Sequence, residues 1–337
     1  MLRGKLWVAL SLAVTVPLVG GCGKKNLTEI EVPDAGVDLR YDLSAGQAYG
    51  GHLKMRNAVQ TPIGDMIQSI EFDVELVVSG PIGESNLVAA TVTDIKFDVR
   101  LPEGMPGEAA KQLPSAEEAA AVSGTQLRFH LDDQGKVTEM PEPPKDVADK
   151  IGQVVGMVAG ALQAGFVTLP GKPLKNGDTW DPVSADDKGR TGTGTFNGMA
   201  RDDASGSEVA RLTYAYQRSP DAEEGGSGPR VEGSQDIEVL FATDGYPVQI
   251  KRKSSGDIKG LGGFNSEVTA EWKKLDKRAV TPPTNDEVQE ITDPCDPDYV
   301  GPEECGPAEP AEAPADEAGG EEAGGEAAGG ADESAAD

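Results

Sequence analysis

The sequence predicts a mainly β domain of the α+β class. It is an antiparallel, strand-rich body with one main helix and minor helical turns, followed by a disordered acidic tail. Three observations carry this. Between 37 and 275, segment after segment alternates apolar and polar residues, the period of a half-buried strand. Residues 145–164 instead keep one apolar stripe at helical spacing. After Arg278 the chain turns to Pro, Gly, Ala and charge of one sign, which cannot repay the entropy of folding.

The strands follow in order. Val37, Leu39, Tyr41 and Leu43 alternate with polar neighbours, and Leu53, Met55 and Val59 do the same opposite His52, Lys54 and Arg56. Ile70, Phe72, Val74, Leu76 and Val78 form the cleanest strand, with Glu71, Asp73 and Glu75 on its other face. Gly80-Pro81-Ile82-Gly83 signals a turn. A long strand over 87–101 ends with Ile95, Phe97, Val99 and Leu101 alternating with Asp94, Lys96, Asp98 and Arg100. Three prolines and a run of Ala, Glu and Gly then break the pattern, and one or two short helices are expected within 107–121. Leu127, Phe129 and Leu131 lead into a Gly135 turn and a strand ending at Met140, a hairpin.

Pro143 and Pro144 open the helix, whose stripe is Val147, Ile151, Val154, Val155, Val158 and Leu162. Gly152, Gly156 and Gly160 form a ridge at four-residue spacing. Each interior glycine costs a helix about 1 kcal/mol, so the ridge predicts either close packing on a sheet or a helix meant to move. The second half returns to strands at 191–199, 208–217, 231–242, 246–255 and 264–275, with Asp244-Gly245 as a hairpin turn. The apolar positions of 127–140 recur 110 residues later, at 237–250. This is either an internal duplication or two hairpins obeying the same turn chemistry. The organisation is then a signal segment over 1–21, a tether over 22–36, a globular domain over 37–275 with halves near 37–142 and 190–275, and a tail over 276–337.

Charge excludes one class of function. The 337 residues carry 58 acidic and 30 basic side chains, a formal net charge of -28. A nucleic-acid binder needs a basic footprint. Residues 293–337 hold 15 of the acids and no Lys or Arg, so the tail supplies about half of the excess.

Candidate chemistry is sparse. His52 and His130 are the only histidines; both fall on expected polar strand faces, and no Gly-x-Ser-x-Gly turn accompanies them. The carboxylates of Glu71, Asp73 and Glu75, beside Asp94, Lys96, Asp98 and Arg100, read as a solvated face with cross-strand pairs rather than a glycosidase pair. Asp293, Asp296, Asp298, Glu303 and Glu304 read as an acidic tail, with weak calcium binding as the alternative. The sequence calls for no cofactor, no catalytic residue and no resident metal. The chain is therefore expected not to be an enzyme.

The N-terminus carries the most specific signal. Arg3 and Lys5 precede an apolar stretch from Leu6 to Val19, then Gly20, Gly21 and Cys22. That stretch is shorter than the ~20 residues of a spanning helix. Leu18-Val19-Gly20-Gly21-Cys22 resembles the lipobox of bacterial lipoproteins. The resemblance implies cleavage before Cys22 and acylation of its thiol, export, and a membrane anchor; in a cell with two membranes, Gly23 after the cysteine implies the outer one. With Cys22 acylated, Cys295 and Cys305 are left as an even pair in an exported protein and are expected to form a disulfide.

The order of strands and helices, and the run from Leu169 to Trp180 with its Asp178-Thr179-Trp180 turn, resemble a class of β-rich bacterial lipoproteins without assigned function. Some of these are similar to the periplasmic lipoprotein-carrier fold. The resemblance covers 37–275 and implies a curved antiparallel sheet, or half-barrel, with helices against its concave side; no functional residue carries over. Two functions are expected from the sequence. One is a non-enzymatic envelope lipoprotein acting as a structural or interaction module, with a protein partner. The alternative is a carrier or sensor of lipid or another apolar ligand, held in a helix–sheet cavity lined by Val147, Ile151, Val155, Val158, Leu162, Phe72, Phe97 and Phe129. A deep seam cavity favours the carrier, and a filled seam the module.

Overall fold

The computed structural model describes residues 26–105, 107–139, 149–183, 189–219, 231–258 and 262–283. Cys22, Val147, Cys295 and Cys305, the signal segment and the acidic cluster of 293–304 lie outside them. The fold is mainly β: one open, curved antiparallel sheet of 12 strands, a half-barrel.

Its first block is β1 (Leu27–Ile30), β2 (Ala48–Thr61), β3 (Gly64–Ile82), β4 (Ser85–Arg100), α1 (Gly107–Ala110), α2 (Ala116–Ala120), β5 (Gln126–Leu131) and β6 (Val137–Glu139). The second is α3 (Asp149–Ala164), β7 (Thr179–Trp180), β8 (Arg190–Asp202), β9 (Glu208–Arg218), β10 (Val231–Ala242), β11 (Tyr246–Ile258) and β12 (Gly262–Leu275). The order across the sheet is β1-β8-β9-β10-β11-β12-β2-β3-β4-β5-β6, with β7 pairing β8 off this path. Two meanders, β2 to β6 and β8 to β12, thus meet edge to edge. Their seam is the β12–β2 ladder, from Phe264↔Val59 to Leu275↔Ala48.

The alternation in the sequence explains which face is inside. Ile70, Phe72, Val74, Leu76 and Val78 of β3 are at most 3% exposed, while Glu71, Asp73 and Glu75 face outward. On that outer face Lys96 and Lys54 reach Glu71 at 3.1 and 3.3 Å, His52 meets Asp73 at 2.6 Å, and Arg278 meets Glu75 at 2.8 Å. These are the cross-strand pairs of a solvated face. In β4 the parity of the buried positions changes from even (Val88, Ala90, Val92) to odd (Ile95, Phe97, Val99). A bulge opposite Glu71–Asp73, with Asp94 at φ 50°, makes the switch.

Helix α3 lies against β2 and β12, the central strands, and against α2. Val154, Val155, Val158 and Leu162 are at most 2% exposed, and they share the core with Leu53, Phe72 and Phe129. At about 1.5–3 kcal/mol for each fully buried side chain, this stripe is the main reason the helix stays on the sheet. Ser115 caps α2 in a reciprocal box with Glu118, and Lys150 of α3 reaches Glu118 at 3.3 Å. Among the described residues no helix is long and apolar enough to cross a membrane.

Four expectations need correction. Residues 37–43 are not a sheet strand: only Val37 bridges, to Leu174, although Leu39 and Tyr41 are buried. The segment instead threads between two hairpin turns, with Tyr41 N–H donating to Asp133 O (3.0 Å) and Asp42 N–H to Gly245 O (2.8 Å). Burial under those turns, rather than strand pairing, requires its alternation. Residues 27–30, expected in the tether, form β1 on β8. The first residues expected in the tail are held as well, Arg278 N–H donating to Gly46 O at 2.7 Å. Finally, the glycine ridge of α3 does not pack. Gly156 and Gly160 are exposed, with open space where a β-carbon would stand, because they lie opposite the valine stripe.

Candidate functional site

The seam between helix and sheet is filled. Val155, Val158, Leu162, Phe72 and Phe129 are at most 3% exposed, Phe97 is 9% exposed, and Ile151 is half-buried against the same core. A cavity within the core, between Tyr41, Leu76, Val78, Leu131, Phe166 and Trp272, has about 20 Å³. That is room for about one water. The expected cavity is therefore a packed core, and Phe97 borders only a shallower groove beside Lys54 and Lys96.

An open volume lies beside the helix, not beneath it. After α3 the chain turns at Gly165, whose N–H donates to Ala161 O and Leu162 O at 3.0 and 2.9 Å. Residues 166–170 then cross the inner face of the sheet as a strap. Phe166 enters an aromatic cluster, its ring centroid 5.7 Å from Phe129 and 5.6 Å from Trp272. Tyr41 Oη accepts from Val167 N–H and donates to Val167 O, both at 3.1 Å. Tyr214 Oη donates to Thr168 O at 3.0 Å, and Leu169 N–H donates to Gln134 O at 2.8 Å.

Between this strap, the β5–β6 turn, the segment after β7 and the inner ends of β8 to β12 lies a cleft of about 740 Å³. This is within the range of small-molecule sites. Trp180 and Val183 form one wall, Val167, Leu169 and Pro170 another, and Phe264 closes a side. Gly160 and Gln163 of α3 border the mouth, which the missing β-carbon at Gly160 leaves wide. Trp180 stands edge-on to Tyr214 (5.4 Å, 88°). Its indole occupies the space a β-carbon at Gly194 would need, and Gly192 likewise makes room for Tyr216 and Val183. These two strand glycines seat the aromatic wall.

The floor is polar, and built from positions that point inward. Ile237 pairs Arg252, and Gln235 pairs Ser254, so Arg252 and Ser254 continue the face of buried Ile250. Arg252 Nη2 donates to Phe166 O at 3.1 Å and Nη1 to Gln235 Oε1 at 3.4 Å. Arg190 Nη2 donates to the same Gln235 Oε1 at 2.8 Å, and its guanidinium lies 3.9 Å from the Tyr216 ring centroid. Gln235 Nε2 donates to Ser254 Oγ at 2.8 Å. Two guanidinium groups thus share one neutral acceptor.

Arg252 Nε and Trp180 Nε1 are shielded from solvent and have no hydrogen-bond partner among the described residues. Burial, with the Arg190 charge adding to it, pulls the Arg252 guanidinium down to about 10, against the opposing influence of Tyr216, Tyr41 and Tyr214. The group remains a cation at neutral pH. In a chain with an acidic excess, the described residues lining this cleft include Lys136, Arg190, Arg218 and Arg252 against one acid, Asp181.

The floor was readable in principle. Arg252, Ser254 and Gln235 break the apolar parity of Ile250 and Ile237, and a polar residue at an inward strand position is the signal. The histidines give no site. His52 is a surface partner of Asp73, whereas His130, expected on a polar face, is 6% exposed with Nδ1 3.3 Å from Ser85 Oγ. Among the described residues no group of three or more His, Cys, Asp or Glu is placed to hold a metal ion.

No protein-family model matches the chain, and no curated protein matches it. Among solved structures, the chain is similar to one described under lipid–protein interactions in lipovitellin, with 10% identity and a TM-score of 0.43. The match covers 72% of this chain and 26% of that one, so this chain spans about a quarter of that protein's length.

Proposed function

We propose that this protein is an exported, lipid-anchored binding protein of the cell envelope that holds a small ligand in the cleft beside α3 and does no chemistry on it. The observation that carries the reading is the 740 Å³ cleft, with an aromatic wall seated on two glycines and a floor of inward-pointing polar side chains. A chain selected only as a structural module has no reason to place inward polar side chains on three neighbouring parts of the sheet, Arg190 of β8, Gln235 of β10, and Arg252 and Ser254 of β11. The filled helix–sheet seam is the outcome expected of the structural or interaction module and speaks against a ligand beneath the helix; the binding reading rests instead on the separate cleft, which the sequence did not lead one to expect.

The anchor is supported by the lipobox-like Leu18-Val19-Gly20-Gly21-Cys22. An acylated Cys22 makes the membrane the first partner, and in a cell with two membranes the outer one. Two or more acyl chains give stable attachment. The net charge of -28 makes nucleic acid an unsuitable partner.

The test is native mass spectrometry on the full chain carrying Cys22→Ser, comparing native with denatured mass. A small molecule lost on denaturation supports the proposal, and a bare native mass, repeated after incubation with a total lipid extract, overturns it.

A further inference from the structure

The cleft is not uniformly apolar. Trp180, Val183, Val167 and Phe264 line it together with Arg252 and Arg190, which converge on Gln235 Oε1 at 3.4 and 2.8 Å. Among the described residues, the hydrogen bonds of Arg252 go to neutral oxygens, those of Phe166 and Gln235. A guanidinium partly withdrawn from water, as Arg252 is, gains from an opposite charge beside it, and two guanidinium groups about one acceptor repel each other.

We propose that the cleft takes an amphipathic anion, with its oxyanion head, a carboxylate or a phosphate, at the Arg252–Arg190–Gln235 floor and its apolar body against Trp180 and the 166–170 strap. This rests on the ligand-binding reading above and names the chemical class of the ligand. Arginine suits the task because its planar fork stays charged and matches both head groups. Gln235 is the positioning residue. Its Oε1 holds the two guanidinium groups together, and its Nε2 is fixed by Ser254 Oγ at 2.8 Å.

The experiment titrates the full chain carrying Cys22→Ser, by calorimetry, with four probes: dodecanoate, dodecyl phosphate, dodecanol and inorganic phosphate. The two amphipathic anions are expected to bind at least about tenfold more tightly than dodecanol, the step one charge-assisted hydrogen bond supplies. Inorganic phosphate alone is expected to bind far more weakly than dodecyl phosphate. Arg252→Met is expected to bring the anions down to the level of dodecanol and leave dodecanol unchanged.

Gln235→Glu guards against a folding defect in that variant. It keeps the shape, places a carboxylate between the guanidinium groups, and is expected to abolish the preference for anions. Dodecanol binding as tightly as dodecanoate overturns the head-group assignment and leaves the ligand cleft standing. Inorganic phosphate binding as tightly as dodecyl phosphate overturns the amphipathic body. If both variants keep the preference for anions, the floor is the wrong place. If no probe binds, the reading of the cleft as a ligand site fails with it.

Discussion

Tyr41→Phe isolates one hydroxyl that holds the strap over the cleft. The ring is retained, so its edge-on contact with Phe241 (5.0 Å, 79°) and its contact with Phe166 survive the change. What is lost is the pair of bonds to Val167, one accepted from N–H and one donated to C=O, each 3.1 Å. Both backbone groups are buried, Val167 being 4% exposed. A buried polar group left unmatched costs about 1–3 kcal/mol, so two, partly relaxed, cost about 2–4 kcal/mol. For a domain of this size each kcal/mol moves Tm by about 2–4 °C, which makes the expected loss about 4–16 °C. Burial raises the Tyr41 hydroxyl well above its ordinary range, so it stays a donor throughout a neutral to mildly alkaline assay.

The assay is urea unfolding of Tyr41→Phe beside Tyr49→Phe. Tyr49 loses a single bond to Asp42 O (2.6 Å), and its expected cost is about 1 kcal/mol. A Tyr41→Phe protein within about 0.5 kcal/mol of the parent would refute the claim that this hydroxyl fastens the strap.

Three further outcomes follow from other parts of the molecule. Gly194→Ala places a β-carbon inside the Trp180 indole; the ring must swing out, shifting the protein's tryptophan emission and weakening ligand binding by about tenfold (about 1.4 kcal/mol). Unchanged emission and affinity would show that the wall tolerates the methyl group. At Asp42, burial raises the carboxyl, but Lys274 at 2.9 Å and the Ser44 hydroxyl and N–H outweigh it and hold it below the ordinary carboxylate range. A lowered carboxylate contributes stability that is present above its unfolded pKa and lost as pH falls through the folded one. Asp42→Asn should therefore destabilise the protein at neutral pH, with the difference vanishing in acid below the ordinary carboxylate range; a constant difference across that range contradicts the pairing. Metabolic labelling with an alkyne fatty acid should mark the full chain and leave Cys22→Ser unmarked, and labelling of both would place the acyl group elsewhere.

Much of the sheet could be read from the residues, because each inner position of β3 is paid for by burial and each outer one faces charge. Helix α3 was equally legible from its valine stripe. The failures share a cause. The alternation of Leu39 and Tyr41 records burial between two turns, and alternation alone cannot tell that from a strand. The four-residue spacing of the α3 glycines suggests a packing ridge, yet helical geometry sets Gly156 and Gly160 opposite Val154 and Val158. The parity change near Asp94 needs the partner strand to reveal the bulge. The cleft depends on where residues 166–170 cross, a long-range contact between Tyr41 and Val167 that no local pattern contains. Its floor left a trace, Arg252 two residues after buried Ile250, but only the crossing strap shows which inward polar residues line an opening.

Under the proposed function the ligand sits in the cleft beside α3 rather than in the seam beneath it. Photocrosslinking the full chain carrying Cys22→Ser with a diazirine-bearing fatty acid, followed by peptide mapping, tests it most directly. Adducts are expected on the 166–170 strap, on 180–183 and on the inner ends of β9 to β12, competed away by unlabelled dodecanoate. Competable adducts on Val155, Val158, Phe72 or Phe129 would contradict it and return the ligand to the seam; adducts scattered over the outer face, with no competition, would contradict a binding function altogether.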